Sequence, residues 1–398
     1  MAKLRRVNVD SGRPLEPLAH YSRALRVGDM VLQSGTTAID TEGNVIGEGD
    51  IARQVDAIVE IAEKTMGQAG GRLEDVVRER IVVTDIGLAE EAGKALGRHF
   101  RDIRPAATLV EVSGLARPAQ LIEIEFDAVD GAKEKAQRIS SGGPLEEPWG
   151  YSRAVRVDDR IFISGTIARE AAAGDQYAQT REAMEIILGV LDEAGGAVGD
   201  LVYSKIFVTD IEQSAEGRRA RLEALGDVRP TATLLGIPAL IGPGTAVEIE
   251  AEAIIGAAGT QRDIFTANQR EKGRGYARAV EVGDVVHVSG CTSLDAEGVV
   301  QAPGDWAAQV DLCHEAIAAA LAEAGAVLDD VVRRRTFTVD GTERNRPYGE
   351  GPAWFANSRP VSLGCRIAAL ADPAMLVEVD AWAVKGAHAD IEWLGPDD

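Results

Sequence analysis

The segment YSRALRVGD (residues 21–29) returns as YSRAVRVDD (151–159) and again as YARAVEVGD (276–284). Each copy runs into a Ser-Gly turn, in LQSGTTA, FISGTIA and HVSGCTS. The steps from Tyr21 to Tyr151 to Tyr276 are 130 and 125 residues, and Ser34, Ser164 and Ser289 keep them. Farther along, Gln54, Gln179 and Gln309 step by 125 and then 130, as do Pro105, Pro230 and Pro360. The reversal locates a five-residue deletion between Ser164 and Gln179, where DTEGNVIGEGD (40–50) contracts to EAAAGD (170–175). That is a turn-rich hairpin tip, where a change of length costs little. A period this long belongs to a whole domain rather than a solenoid unit, and it divides the chain at 1–132, 133–258 and 259–398.

Every copy has the same local pattern. Two strands flank a Gly-Asp or Asp-Asp turn, as in RALRVGDMVLQSG. A helix follows with Asp50 as N-cap and Val55, Ile58, Val59, Ala62 and Met66 on one face, stopped by Gly70 and Gly71. In the third copy that face carries Cys313 and His314, which reads as core. A strand, a second helix and two more strands complete a β-β-α-β-α-β-β layer with helices on one sheet face. The other face needs a cover, and three sheets packed together would supply it. The third copy departs at residues 340–358, where Pro347 and Pro352 break the second helix and Arg344, Arg346, Tyr348 and Trp354 enter a remodelled loop. Cys365 reads as a small core residue.

Composition narrows the function classes. A net charge of −22 over 398 residues repels a phosphate backbone, so no nucleic-acid partner is expected. No run of about 18 apolar residues predicts a membrane span, and MAKLRRVNVDSG carries no apolar signal segment. Three sparse cysteines, Cys291, Cys313 and Cys365, suit reduced thiols and a cytoplasmic location. The five histidines are scattered without ligand spacing, so neither a metal nor another cofactor is indicated.

The segments YSRAVRV…FISG, GG…DVV…VTDI, RPAATLVEV and LIEIEFDAV, in that order and three times over, resemble the RidA (YjgF-type, reactive intermediate deaminase) family. The resemblance implies an α+β fold of three tandem RidA-like (chorismate mutase-like) domains, forming a single-chain pseudo-trimer that is itself a monomer. It also implies a small-molecule site in each cleft between repeats, and hydrolysis of enamines and imines to a keto acid and ammonia. In the family an arginine two residues after the proline of RPA clamps the substrate carboxylate. Here that position holds Ala107, Ala232 and Ser362, so the usual clamp is missing from all three repeats.

What the resemblance retains is a set of candidate site residues. Glu123, Glu248 and Glu378 match the acidic residue that directs water; a solvated strand face is the competing reading of the same EIE pattern. Gly35, Gly165 and Gly290 belong to the Ser-Gly turn, where backbone N–H groups approach a ligand. Tyr21, Tyr151 and Tyr276 share a strand side with Arg23, Arg153 and Arg278, which serve either as a replacement anion site or as ion-pair ties to a neighbouring repeat. Ser362 with Gly364 opens a cleft that Leu109 and Leu234 close in the other copies. The expected activity is hydrolase-like action on a C–N bond of a small, anionic metabolite; the alternative is a non-catalytic small-molecule-binding or scaffolding pseudo-trimer. The ribonuclease activity attached to some family members is opposed by the charge and by the lack of a His or Lys pair.

Overall fold

A computed structural model describes residues 4–266, 270–342, 344–346, 349–350 and 352–398. The first unit holds β1 (Arg6–Val9), α1 (Leu15–Leu18), β2 (Ala24–Val27), β3 (Met30–Gln33), α2 (Ile51–Gln68), β4 (Val76–Val83), α3 (Ala89–Phe100), β5 (Ala106–Glu111) and β6 (Ile122–Val129). The second repeats it with α4 (Ala132–Lys135), β7 (Gln137–Ile139), α5 (Glu146–Trp149), β8 (Ala154–Val157), β9 (Arg160–Ile167), α6 (Gln176–Glu193), β10 (Leu201–Val208), α7 (Ser214–Leu225), β11 (Thr231–Gly236) and β12 (Val247–Ile254). The third has β13 (Arg262–Ile264), α8 (Arg270–Arg274), β14 (Ala279–Val282), β15 (Val285–Cys291), α9 (Trp306–Glu323), β16 (Val331–Val339), β17 (Val361–Ile367), β18 (Val377–Val384) and β19 (Ile391–Leu394).

Each unit is one mixed sheet, ordered β1-β2-β3-β6-β4-β5 in the first and equivalently in the others. The leading strands β1, β7 and β13 add to the expected pattern. They are short and pair antiparallel with β2, β8 and β14. The C-terminal β19 pairs parallel with β1, so the end of the chain covers the free edge of the first sheet. Asp50 caps α2 as expected, accepting from the Arg53 N–H, and the predicted α2 face is buried against the sheet.

The three sheets contact one another in a cycle. Ser152 N donates to Pro105 O at 2.9 Å between units one and two, and Ser22 N to Pro360 O at 3.2 Å between one and three. Between two and three, Ala232 N donates to Ser289 Oγ at 2.9 Å. Val82, Phe207 and Phe337, one from each unit, share an apolar cluster with Val110, Leu235 and Cys365. Beside it the shared face is charged rather than apolar. Arg80 pairs with Glu250 of the next unit (2.7 Å), Lys205 with Asp380 (2.8 Å) and Arg335 with Glu125 (2.5 Å), which closes a ring through all three. A second tier pairs Arg78 with Glu252 and Arg333 with Asp127. Its third member is aromatic instead: His287 lies between Tyr203 and Trp382, with ring centroids 6.0 and 5.9 Å apart.

The third unit departs where its sequence does. Between β16 and β17 no helix occurs among the described residues. Phe355, at the repeat position of Phe100 and Leu225, still fills the core at 2% exposure. The loop is tied to its own α9: Arg346 holds Asp311 at 2.7 Å, and Trp354 Nε1 donates to the same carboxylate at 2.7 Å. Arg344 lies 5.0 Å over the Trp306 ring. These groups thus brace the unit rather than stand out toward a ligand. Pro347 and Tyr348 lie outside the described residues. Cys313, His314 and Cys365 are buried, as read from the sequence.

Candidate functional site

Three repeat-related junctions, at the places of the expected clefts, form where the Ser-Gly turn of one unit meets the RPA strand of another. The first joins unit one to β17, the second unit two to β5, and the third unit three to β11. In the first, Ser34 Oγ donates to Ser22 O at 2.6 Å and accepts from Ser362 N at 2.8 Å, while Gly35 N donates to Ser362 O at 2.9 Å. In the others, Gly165 N donates to Thr108 Oγ1 (3.0 Å) and Gly290 N to Thr233 Oγ1 (3.1 Å). The turn N–H groups therefore cross the interface, correcting the expectation that they face a ligand.

The turn glycines have a different use. A Cβ on Gly35, Gly165 or Gly290 would overlap the carboxylate of Glu123, Glu248 or Glu378 respectively. Each carboxyl lies directly against a glycine Cα, a place that a larger residue would occupy itself. The three glutamates are buried at 7%, 4% and 8% exposure, so the reading of EIE as a solvated face fails. Burial raises each carboxyl from the ordinary range to about 8, against the opposing pull of Arg23, Arg153 and Arg278. Each is thus mostly neutral at pH 7.

The arginines of the opening motif have partners within their own units. Arg23 Nε donates to Glu16 Oε1 at 3.0 Å, Nη1 to Gly35 O at 3.0 Å and Nη2 to Tyr21 Oη at 2.8 Å. Arg278 repeats this with Glu271, Gly290 O and Tyr276, and Arg153 bonds Gly165 O and Tyr151 while pairing with Glu146 at 3.5 Å without a hydrogen bond from Nε. The tie to a neighbouring repeat is therefore corrected: the acidic partner lies seven residues upstream in the same unit. Glu16, Glu146 and Glu271, all buried, were missed by the sequence reading, although their constant spacing from the arginine repeats three times. The inter-unit ties are instead Arg80, Lys205 and Arg335, whose signal was a cation at the same repeat position of the β4, β10 and β16 segments. A recess of about 260 Å3, open solvent included, is lined by Arg78, His287, Arg335 and Trp382 among others, away from the clefts.

The raised carboxyls make stability depend on pH. A carboxyl whose folded pKa lies above its unfolded one stabilises the fold fully below about 4.5, and that contribution is lost as pH rises through about 8. Tm is expected to fall between pH 5 and pH 8.5, and Glu248→Gln to flatten the slope. An unchanged slope in the variant would contradict the assignment.

Comparisons with known proteins follow the repeat boundaries. The family model described as Endoribonuclease L-PSP matches residues 12–130, 145–255 and 267–385. A protein of Acinetobacter baylyi named 3-aminoacrylate deaminase RutC is 33% identical over 108 residues, which is 27% of this chain and 85% of that protein. A solved member of the YjgF/YER057c/UK114 family from Mycobacterium tuberculosis is 38% identical, covering 30% of this chain and all of its own, with a TM-score of 0.29. A chorismatase structure, 15% identical, covers 78% of this chain and 93% of its own at a TM-score of 0.52, a likeness of fold alone.

Proposed function

The chain belongs to the endoribonuclease L-PSP family, and from that premise we propose that it hydrolyses a C–N bond of a small enamine or imine in its inter-unit clefts. The observation that carries this reading is a neutral, buried carboxyl held against an interface glycine in each cleft. The RutC relative's name describes deamination of 3-aminoacrylate, an enamine that bears a carboxylate. The nuclease activity in the family's name is not carried over, because a net charge of −22 opposes an RNA backbone.

The chemistry balances through the carboxyl alone. The neutral acid gives its proton to the enamine carbon, leaving an iminium and a carboxylate. The carboxylate then takes a proton from water as the water oxygen attacks the iminium carbon. The carboxyl, again in its acid form, protonates the carbinolamine nitrogen; the C–N bond breaks with its electron pair leaving on ammonia, and the hydroxyl proton returns to the carboxylate as the carbonyl forms. A group with a pKa of about 8 suits both halves near neutral pH. Because the acid form starts the reaction, kcat/KM is expected to fall as pH rises above about 8. Replacing Glu123, Glu248 and Glu378 together with glutamine is expected to lower turnover by about 10²–10⁴-fold. Unchanged turnover in that triple variant would remove the hydrolase reading.

One observation favours a second reading, binding without catalysis: Ala107, Ala232 and Ser362 stand where the family's arginine is expected. That reading predicts a rise in Tm with ligand but no ammonia release from any imine donor.

A further inference from the structure

The three clefts differ at one wall. On β5 the side chain of Leu109 is 5% exposed and joins the same cluster as Ala107 and Tyr151. Its backbone lies at the reacting group, since Glu248 accepts a hydrogen bond from the Leu109 N–H. Leu234 fills the same place on β11, partly buried against the core of unit two. In the first cleft this position is Gly364, which is exposed. Among the described residues, a Cβ there would meet nothing nearer than Thr336 O at 3.9 Å. The cause is the missing second helix of unit three. The β5 and β11 residues are packed under α3 and α7, whereas Ser362, Gly364 and Arg366 on β17 are half-buried or exposed. Leu18 of α1 is left 50% exposed, with Gly349 of the replacing loop beside it.

The same wall carries a cation that the other clefts lack. Arg334 is the register partner of Ser362 on the adjacent strand, and so shares its face. The equivalent pairs are Glu79 with Ala107 and Ser204 with Ala232. The Arg334 guanidinium lies 5.1 Å over the Phe355 ring and donates to Ala19 O of unit one at 2.5 Å, two residues before Tyr21. It therefore already bridges the two units that form the first cleft.

We propose that the cleft between the first and third units is the one that accepts a ligand, and that Arg334 supplies the contact to the ligand's carboxylate. The assignment rests on the hydrolase reading for the reaction, and on geometry alone for the choice of cleft. Gly364 leaves uncovered the place that Leu109 fills in the second cleft, where Leu109 packs with Tyr151 and its N–H meets Glu248. A fork of N–H donors one strand away from Ser362 suits a carboxylate. The other two clefts have that place filled, and carry a carboxylic acid or a hydroxyl in place of the guanidinium.

Calorimetric titration of the full chain with 2-oxobutanoate tests this. One molecule per chain is expected to bind. Gly364→Leu, which places in open space the residue that unit one carries naturally, is expected to abolish binding without changing Tm. Arg334→Met is expected to weaken binding at least tenfold, while leaving pyruvamide, which lacks the carboxylate, unaffected. Three equivalents per chain, no binding of 2-oxobutanoate at all, or undiminished affinity in Gly364→Leu would overturn the proposal. If binding follows expectation while no imine is hydrolysed, the cleft assignment stands and the hydrolase reading falls.

Discussion

Arg80→Met is expected to destabilise the folded chain by about 3–5 kcal/mol, the usual cost of removing one partner of a buried ion pair. Arg80 reaches Glu250 of unit two through Nε at 2.7 and 2.9 Å and Glu125 of its own unit through Nη1 at 2.8 Å. Without it two carboxylates remain away from water. Glu250 keeps the Tyr203 hydroxyl at 2.9 Å and the Thr108 hydroxyl at 2.8 Å, neither of which cancels a charge. The double variant Arg80→Met/Glu250→Gln is expected to lose less, because a neutral amide accepts from one hydroxyl through its oxygen and donates to the other through its NH2, leaving no charge. Urea denaturation of the two variants checks the order; a double variant less stable than the single would contradict it. The pH sense is opposite to that of the cleft carboxyls. Arg80 foremost holds Glu250 down at about 2 against the penalty of burial, so its contribution is present above the ordinary carboxylate range and is lost as pH falls toward 2. In Arg80→Met the Glu250 carboxyl moves back up toward the ordinary range, so that low-pH loss should shrink.

Gly35→Ala is expected to reduce turnover by about as much as removing the Glu123 carboxyl, roughly 10²–10⁴-fold. It should also cost about 1–3 kcal/mol of stability through overpacking. The added methyl would overlap Glu123 Oε1 and crowd Leu363 Cβ of unit three, 3.1 Å away. The carboxyl must then rotate out of its buried position, toward water and a lower pKa. The measurements are the pH dependence of kcat/KM, whose fall near pH 8 should move to lower pH, and the urea midpoint. Wild-type turnover with an unshifted profile would show that the glycine does not hold the carboxyl in place.

The legible part of the fold lay in local signals that hold wherever the segment sits. Asp50, the apolar stripe from Val55 to Met66 and Gly70 mark α2, because capping, burial of one helix face and a left-handed stop act within one helix. Repeat spacing located the deletion and grouped Tyr21, Arg23, Gly35 and Glu123 in one copy. The role of those residues was less legible. A strand such as IEIEFDAV alternates between apolar and charged residues whether its charged side meets water or meets arginines of another unit. Glu125 and Asp127 proved buried because the opposing side chains, Arg80, Arg333 and Arg335, arrive from β4 and from a strand about 200 residues away, and Glu123 because it lies against Gly35. Hydrophobic periodicity records only that the face is polar.

From the sequence alone came the number of units, the helix-on-sheet layer and its family, since each depends on patterns repeated within a copy. The sequence also marked the third unit as the odd one, through its two prolines and Ser362 with Gly364. Tertiary structure alone decided that Arg23 answers to Glu16 in its own unit, that the turn glycine makes room for a carboxyl, and that Gly364 leaves the first cleft open. Those outcomes depend on which strand edges meet across units and on how far each side chain is removed from water. Both are set by contacts between separate elements, whether the partners lie 7 residues apart, as Glu16 and Arg23 do, or 328, as Ser34 and Ser362 do.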